Sequence, residues 1–167
     1  ISKSQFKKDI EGGVNAEAGW RQNEYGWWWE EADGSFPKKS WKKINNEWFR
    51  FDERGYCLIN RWFFDGKYWF YLDKRGATVT GWNFINHRWY FFDKDGYMIT
   101  GWVKYRETWY YLSEQNGEML SKQFVKHGDG WYYLKANGEL HEQPAFKVEP
   151  DVLITFIDPA KVEENEK

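Results

Sequence analysis

Residues 100–112, TGWVKYRETWYYL, are the stretch of sequence that decides the fold. They hold the pair Gly101-Trp102 and an aromatic run, residues 109–112, that begins seven positions after Trp102. Runs of aromatic residues favour β-strands. The same arrangement recurs along the chain, so this stretch is one copy of a repeat, and the repeat determines the architecture.

The repeat has six copies, and each carries three markers in the same order. The markers are an upstream aromatic residue, a tryptophan seven positions later that leads the aromatic run, and a glycine after the run. Successive copies are spaced by 20 to 22 residues, and all 13 tryptophans lie inside them. The upstream aromatics are Trp20, Trp41, Trp62, Trp82, Trp102 and Phe124, the leading tryptophans are Trp27, Trp48, Trp69, Trp89, Trp109 and Trp131, and the glycines are Gly34, Gly55, Gly76, Gly96, Gly117 and Gly138.

Each copy is predicted to form a β-hairpin that turns at the glycine. In the fourth copy the aromatic run supplies the first strand, residues 93–96 (Asp-Lys-Asp-Gly) the turn, and residues 97–100 a short second strand. Asp suits the opening of a type I turn, and Gly suits the left-handed position that follows. An isolated hairpin is only marginally stable in water, so consecutive units must stack. The predicted fold is therefore all-β, a solenoid of six stacked hairpins.

The composition changes at both ends of the repeat array. Residues 1–18 are polar and are predicted to be a linker, and the acidic residues 158–167 a disordered tail. Residues 144–157 are predicted to form a last hairpin that caps the stack. Because the chain begins with Ile1 and not with Met, we expect it to be cut from a longer protein. The repeats are assigned to residues 19–143, divided as 19–39, 40–60, 61–80, 81–100, 101–121 and 122–143.

The overall composition argues against several classes of protein. The chain has 13 Trp, 11 Tyr and 13 Phe but only 22 Val, Ile and Leu, the reverse of an ordinary helical bundle or doubly wound sheet. Its net charge of −2 offers no basic footprint for nucleic acid. A single cysteine excludes an internal disulfide, and the apolar run at 152–157 is too short to span a bilayer.

Repeated tryptophans have three interpretations. The first is purely structural: the rings fill the core of a spacer. In the second and third, the rings offer flat π-faces to a ligand, which is a sugar ring in one case and a quaternary ammonium ion in the other. Such an ion has no N–H donor, so it is held by ring quadrupoles, at about 0.5–2 kcal/mol per ring. Three rings then supply about 3–4 kcal/mol, a dissociation constant of roughly millimolar. Several weak sites in one stack suit a polymer that repeats the ligand.

The pattern resembles a known family. Gly-Trp, then Trp-Tyr-Tyr seven residues later, then Asp-x-x-Gly-x-Met-x-Thr-Gly-Trp is similar to the choline-binding (cell wall-binding) repeat of streptococcal surface proteins, and residues 19–156 carry the resemblance. Residues 33–37 and 148–151 resemble, more specifically, the C-terminal domains of pneumococcal amidase autolysins. The resemblance implies a left-handed solenoid that binds phosphocholine on teichoic and lipoteichoic acids at the bacterial cell wall. It implies an anchoring module of a surface protein or lytic enzyme, phage-encoded lysins included.

The resemblance also implies one choline cage at each junction of consecutive units, built from two aromatics of one unit and one of the next. Methionine often closes such a cage, and here Met98 and Met119 accompany the later units. The terminal hairpin of the family helps to form a dimer, so a homodimer through the C-terminal segment is expected. The expected triplets are Trp20 with Trp27 or Trp28 and Phe49; Trp41, Trp48 and Phe70; Trp62, Trp69 and Tyr90; Trp82, Trp89 and Tyr110; and Trp102, Trp109 and Tyr132.

Departures from the family pattern single out the second and third cages as the weakest. Arg50 stands where the family has an aromatic, and a cation that faces a cage repels choline. Cys57 and Thr78 occupy positions where methionine is usual. In the terminal segment Val152 replaces a usual glycine, which weakens the expectation of a dimer.

The sequence offers little to support catalysis. The histidines, His87, His127 and His141, lack metal-ligand spacing, and Cys57 has no histidine in its own unit. Most Asp and Glu residues occupy turns. We therefore expect no catalytic residue, metal or cofactor in this chain. We expect any lytic domain to precede Ile1, and the resemblance implies that it is an amidase. The alternative function is a glucan- or sugar-binding repeat domain.

Overall fold

The computed structural model describes residues 17–128 and 130–141, together with the backbone of residues 145–148 and 154–157. Every regular element in these residues is a β-strand, which confirms the predicted all-β class. Among the described residues, no helix is long and apolar enough to cross a bilayer. The strands are β1 Gly19–Asn23, β2 Gly26–Glu30, β3 Ser40–Ile44, β4 Glu47–Phe51, β5 Arg61–Phe64, β6 Trp69–Leu72, β7 Gly81–Ile85, β8 Arg88–Phe92, β9 Gly101–Tyr105, β10 Thr108–Leu112, β11 Gln123–His127, β12 Gly130–Leu134, β13 Ala145–Val148 and β14 Ile154–Ile157.

The first twelve strands pair as six successive antiparallel hairpins, which we number 1 to 6 in chain order. Hairpin 4 joins β7 and β8 and is typical: Trp82 pairs with Phe91, and Phe84 with Trp89. After hairpin 6, β12 also pairs with β13 and β13 with β14, giving a four-stranded sheet. Residues 1–16 of the predicted linker, 1–18, lie outside the described residues, as do the predicted tail, 158–167, and the side chains of the predicted capping hairpin.

The predicted position of the hairpin turns was wrong. The segment with the upstream aromatic is the first strand of each hairpin and the aromatic run is the second, so the turn lies between them. In hairpin 4 this turn is Asn86-His87, with φ of 49° and 65°. Two consecutive residues with positive φ match the right-handed twist of paired strands. No glycine marks this turn, and the Asp-x-x-Gly segment gave the stronger but misleading signal.

The Asp-x-x-Gly segment instead reverses the chain between one hairpin and the next. The Asp93 carboxylate accepts hydrogen bonds from the backbone N–H groups of Asp95 and Tyr97, each at 2.9 Å. The second strand expected at residues 97–100 is reduced to a single β-bridge, in which Met98 pairs with Phe92. The turn residues were therefore identified correctly, but their place in the hairpin was not.

The chain forms two compact units, residues 1–79 and 80–167. In the first unit, the backbone N–H of Cys57 donates to the carbonyl oxygen of Trp27 at 2.7 Å, and that of Thr78 to Trp48 at 2.9 Å. Each bond links the residue after an Asp-x-x-Gly turn to the leading tryptophan of the preceding hairpin. Within a unit, consecutive hairpins are therefore stacked, as the marginal stability of a lone hairpin requires.

The second unit repeats these links. The N–H of Met119 donates to the carbonyl oxygen of Trp89, and that of Leu140 to Trp109, both at 2.8 Å. The last residue of the aromatic run in each of hairpins 2 to 6 contributes to the core of the units, and these side chains are fully buried. They are Phe51, Leu72, Phe92, Leu112 and Leu134.

Each hairpin presents two faces, because side chains alternate along a strand. The front face carries the upstream aromatic and the leading tryptophan, such as Trp82 and Trp89 in hairpin 4. The back face carries the residue that follows the leading tryptophan, such as Tyr110 in hairpin 5, and the buried core residue Leu112. Within a unit, the front face of one hairpin meets the back face of the next, and the candidate cages lie there.

Candidate functional site

The fourth predicted triplet forms a cage between hairpins 4 and 5. The ring of Trp82 lies 6.4 Å from that of Trp89, at an angle of 85°, and 4.9 Å from that of Tyr110, at 67°. These edge-to-face arrangements leave the rings facing a shared space. With Met119, the three rings line a cavity of about 520 Å³. Trp89 is 43% exposed, so a ligand reaches the cavity from solvent.

The local fold explains why these rings meet. Trp82 and Trp89 lie on opposite strands but on the same face of hairpin 4, because their register partners are Phe91 and Phe84. Tyr110 lies on the back face of hairpin 5 and reaches them from across the junction. The hydrogen bond from Met119 to the Trp89 carbonyl fixes the two hairpins against each other at this point.

The cage is uncharged where the rings meet. Burial raises the pKa of Tyr110, and the nearby carboxylate of Glu139 adds to the rise, so the phenol stays neutral at physiological pH. Neutral rings attract a cation through their quadrupoles without supplying a hydrogen-bond acceptor. The rim is polar: His87 and Arg88 line the same cavity, and Arg88 Nε lies 3.4 Å from Glu118.

The fifth triplet is assembled but closed. Trp102 lies 6.4 Å from Trp109 and 5.6 Å from Tyr132. However, Trp102 is only 7% exposed and Tyr132 only 3%, because both belong to a hydrophobic cluster with Val125 and Leu140. The rings that are open in the fourth cage are therefore packed as core in the fifth.

The two methionines have different surroundings. Met119 lines the fourth cage. It also packs against Gly138, where an added Cβ would lie 2.4 Å from its Sδ. Met98 packs in the same way against Gly117. In these two repeats the marker glycine thus makes room for the second residue after the marker glycine of the preceding repeat.

The first triplet favours one of its two alternatives. Trp20 lies 4.9 Å from Phe49, across the junction of hairpins 1 and 2. Trp27 is 42% exposed and shares the front face of Trp20, whereas Trp28 is completely buried on the back face, edge-on to Tyr56. Access to solvent therefore favours Trp27 as the cage residue.

The second triplet is accompanied by cations of the chain itself. Trp41 lies 4.8 Å from Phe70. The guanidinium carbon of Arg50 lies 5.7 Å from the centre of the Trp41 ring, and Lys43 Nζ lies 6.0 Å from that of Trp48. In the third triplet, the rings of Trp62 and Trp69 lie 6.3 Å apart. Its third member, Tyr90, belongs to the second unit, so this triplet stays a prediction.

Sequence reasoning missed two exposed aromatic residues beside the leading tryptophans. Phe64 stacks on Trp69 with the ring centres 4.9 Å apart, and Phe84 lies 5.1 Å from Trp89. Both are the cross-strand partners of those tryptophans. Both stand two residues after the upstream Trp of their repeats, so an alignment of the repeats could have identified them.

The described residues offer no catalytic or metal constellation. Among them, no group of three or more His, Cys, Asp or Glu is placed to hold a metal ion. Burial raises the pKa of the Cys57 thiol to about 12, so the sulfur is not a thiolate at neutral pH. Cys57 instead packs against Gly76, where an added Cβ would lie 2.4 Å from its Sγ.

Comparison with known families matches most of the repeats. Residues 79–124 match the choline-binding repeat, and residues 39–57, 60–77 and 122–140 match a cell wall binding repeat. The lytic amidase of Streptococcus pneumoniae phage HB-3 is 50% identical over 158 residues, which cover 93% of this chain and 50% of that protein. The lysin of Pneumococcus phage Dp-1 is 45% identical over 141 residues, 82% of this chain and 47% of the lysin.

Solved structures agree with these matches. The pneumococcal cell wall endolysin of phage Cp-1, complexed with choline, is 44% identical with a TM-score of 0.57, over 86% of this chain and 43% of the endolysin. Choline binding protein F of Streptococcus pneumoniae is 29% identical with a TM-score of 0.69, over 83% of this chain and 48% of that protein. The chain thus spans about half the length of these proteins or less.

Proposed function

Because this chain belongs to the choline-binding repeat family and is a choline-binding, cell wall-binding module, we propose that the cage between hairpins 4 and 5 is its principal choline site. The bound group is the trimethylammonium of phosphocholine on teichoic and lipoteichoic acids. The chain binds this polymer and anchors a larger protein to the bacterial cell wall, without catalysis of its own.

The observation that carries the proposal is the arrangement of Trp82, Trp89 and Tyr110. Their rings surround one solvent-accessible cavity, and Met119 closes one wall. Each ring adds about 0.5–2 kcal/mol to the binding of a quaternary ammonium ion. Three rings supply about 3–4 kcal/mol, hence roughly millimolar affinity. The first cage, Trp20 with Trp27 and Phe49, is the second candidate.

Weak affinity at each site suits a repeated ligand. A polymer that carries many phosphocholine groups engages a second cage at high effective concentration once the first is occupied. We propose that the stacked hairpins form a left-handed solenoid, which would present several cages along one molecule. We further propose that the C-terminal segment pairs two copies of the chain, which would double the number of sites.

The relatives suggest the nature of the larger protein. The phage HB-3 protein is a lytic amidase and the phage Dp-1 protein a lysin, and this chain aligns with about half of each. We propose that the parent protein is a cell-wall hydrolase, that its lytic domain is an amidase, and that it acts at the streptococcal cell wall. The likeness of residues 33–37 and 148–151 to pneumococcal amidase autolysins supports this assignment.

Intrinsic tryptophan fluorescence tests the proposal. The chain is titrated with choline and, separately, with glucose oligomers. We expect a saturable change at millimolar choline that is reduced in Trp89→Ala, and no response to the sugars. A response to glucose oligomers but not to choline would contradict the proposal and would place the chain among sugar-binding repeats, with the exposed aromatics as stacking platforms.

A further inference from the structure

Hairpin 2 differs from its neighbours on the front face. Four front-face side chains can be compared in each hairpin: the upstream aromatic, the residue two positions later, the leading tryptophan and the residue two positions after that. In hairpins 3 and 4 all four are aromatic, whereas hairpin 2 has two cations among them. The lysine recurs in hairpin 5, where Lys104 Nζ lies 5.8 Å from the ring centre of Trp109, but Arg50 stands where each of the other five hairpins has an aromatic residue. The sets are Trp41, Lys43, Trp48 and Arg50 in hairpin 2, Trp62, Phe64, Trp69 and Tyr71 in hairpin 3, and Trp82, Phe84, Trp89 and Phe91 in hairpin 4.

Both cations lie over aromatic rings. The Arg50 guanidinium carbon is 4.5 Å from the ring centre of Phe63 and 5.7 Å from that of Trp41. Because Phe63 belongs to hairpin 3, Arg50 contacts both sides of the junction. Lys43 Nζ is 6.0 Å from the ring centre of Trp48. Distances of up to about 6 Å to the ring centre are those of cation–π interactions.

The charge of Arg50 is retained in this position. Burial lowers the pKa of its guanidinium, but the carboxylate of Asp65 raises it, and arginine remains protonated in proteins. In hairpin 4, the residue equivalent to Arg50 is Phe91, which packs edge-to-face on Trp82 at 5.1 Å. The ring contact of the other hairpins is therefore replaced by a fixed positive charge.

We propose that the junction between hairpins 2 and 3 is a cation–π contact that the chain completes with its own side chains, so that Arg50 and Lys43 act in place of an external ammonium ion and exclude choline. The proposal rests on the choline-binding function inferred for the cage of hairpins 4 and 5. The rings of Trp41 and Trp48 already contact the cations of Arg50 and Lys43. A choline brought to these rings would be repelled by both positive charges. The junction is thereby stacked whether or not choline is present.

Counting bound choline by equilibrium dialysis tests the exclusion. Trp48 and Trp89 are equivalent in the repeat and similarly exposed, at 40% and 43%, so both tolerate replacement by alanine. We expect Trp89→Ala to lose one bound choline per chain and Trp48→Ala to lose none. Loss of one choline in Trp48→Ala would overturn the proposal. Retention of the full count in Trp89→Ala would instead contradict the function inferred for the fourth cage.

A gain of binding provides the reciprocal test. The double substitution Lys43→Phe with Arg50→Tyr gives hairpin 2 the aromatic front face of hairpin 3, and we expect it to bind one more choline per chain than the wild type. Lys94→Tyr is the control, since Lys94 is exposed in the turn after hairpin 4, and its count should not change. An unchanged count in the folded double variant would overturn the proposal.

Thermal melting without choline tests the resident cations independently of any ligand. We expect Arg50→Met to lower the melting temperature by about 2–4 °C. Arg50→Lys should restore part of the loss because it returns the charge, and Lys94→Met, which removes an exposed cation from the turn after hairpin 4, should melt as the wild type does. If Arg50→Met also melts at the wild-type temperature, the guanidinium does not hold the junction and the proposal fails, whatever the choline count.

Discussion

The thioether of Met119 lies where a side chain on Gly138 would have to stand, since an added Cβ would be 2.4 Å from its Sδ. Met119 also lines the cage of Trp82, Trp89 and Tyr110. The packing of Gly138, which follows hairpin 6, thus bears on the candidate site between hairpins 4 and 5. We expect binding and folding to be linked through this one side chain.

Gly138→Ala should therefore affect both properties. The new methyl group displaces Met119, and overpacking of this kind lowers the free energy of unfolding by about 1–3 kcal/mol. Gly128→Ala is the matched control, because Gly128 also has positive φ, 60° against 86°, but nothing lies within 4 Å of its added Cβ. Urea denaturation and choline titration measure the effects. Equal losses in the two variants would show that backbone strain alone is responsible.

Tyr110 tests whether choline needs a π-face or only an apolar wall. Tyr110→Phe keeps the ring and should bind choline with nearly wild-type affinity. Tyr110→Leu keeps apolar bulk without the quadrupole and should bind about 2- to 30-fold more weakly, the equivalent of about 0.5–2 kcal/mol. Fluorescence titration of both variants decides the matter. Equal affinities would mean that burial, and not cation–π attraction, holds the ligand.

Asp93 should contribute to stability through its turn. Its carboxylate accepts two backbone hydrogen bonds, from Asp95 and Tyr97. Asp93→Ala leaves both donors without that partner and should lower the free energy of unfolding by about 1–3 kcal/mol. Asp93→Asn keeps an acceptor oxygen and should lose less. Chemical denaturation measures the difference, and identical stabilities for the two variants would rule out the carboxylate bonds as its source.

Cys57 should make stability fall at alkaline pH. Its pKa is raised from the ordinary value of 9.0 to about 12 in the folded chain, because burial disfavours the thiolate. The unfolded chain therefore loses the proton first as the pH rises. The stabilisation is complete below pH 9 and is lost progressively between about pH 9 and 12. Cys57→Ala lacks this contribution.

The measurement compares wild type and Cys57→Ala by urea denaturation at several pH values, so that tyrosine and lysine titrations cancel. We expect their difference in stability to change only above pH 9. The native thiol should also resist a thiol reagent at pH 8 and react once the chain is unfolded in urea. Rapid reaction of the native protein would show that Cys57 is not buried.

The repeat markers were sufficient to predict the fold class but not the hairpin boundaries. Trp82, Trp89 and Gly96 recur at constant spacing, so the number of hairpins follows from counting. The true turn, Asn86-His87, has no glycine, and its positive φ values are imposed by strand twist. In the sequence, Asp93 and Gly96 are a stronger turn signal than Asn86 and His87. They connect two hairpins, however, and do not close one.

The sequence was sufficient to predict which aromatic rings meet at the candidate site, but not whether solvent reaches them. Trp82, Trp89 and Tyr110 meet as expected. Trp102 and Tyr132 also meet, yet Val125 and Leu140 of the next repeat bury them. Such burial depends on contacts distant in sequence, which a single repeat does not contain.

The hydrogen bonds from Cys57 to Trp27 and from Met119 to Trp89 join each hairpin only to its neighbour. Chains built this way gain or lose whole units by duplication and deletion within a gene, since the contacts inside the remaining units are unchanged. On our proposal, a single residue such as Arg50 silences one site while the contacts within the other units remain. The number of working sites would then be a heritable quantity that changes in whole steps.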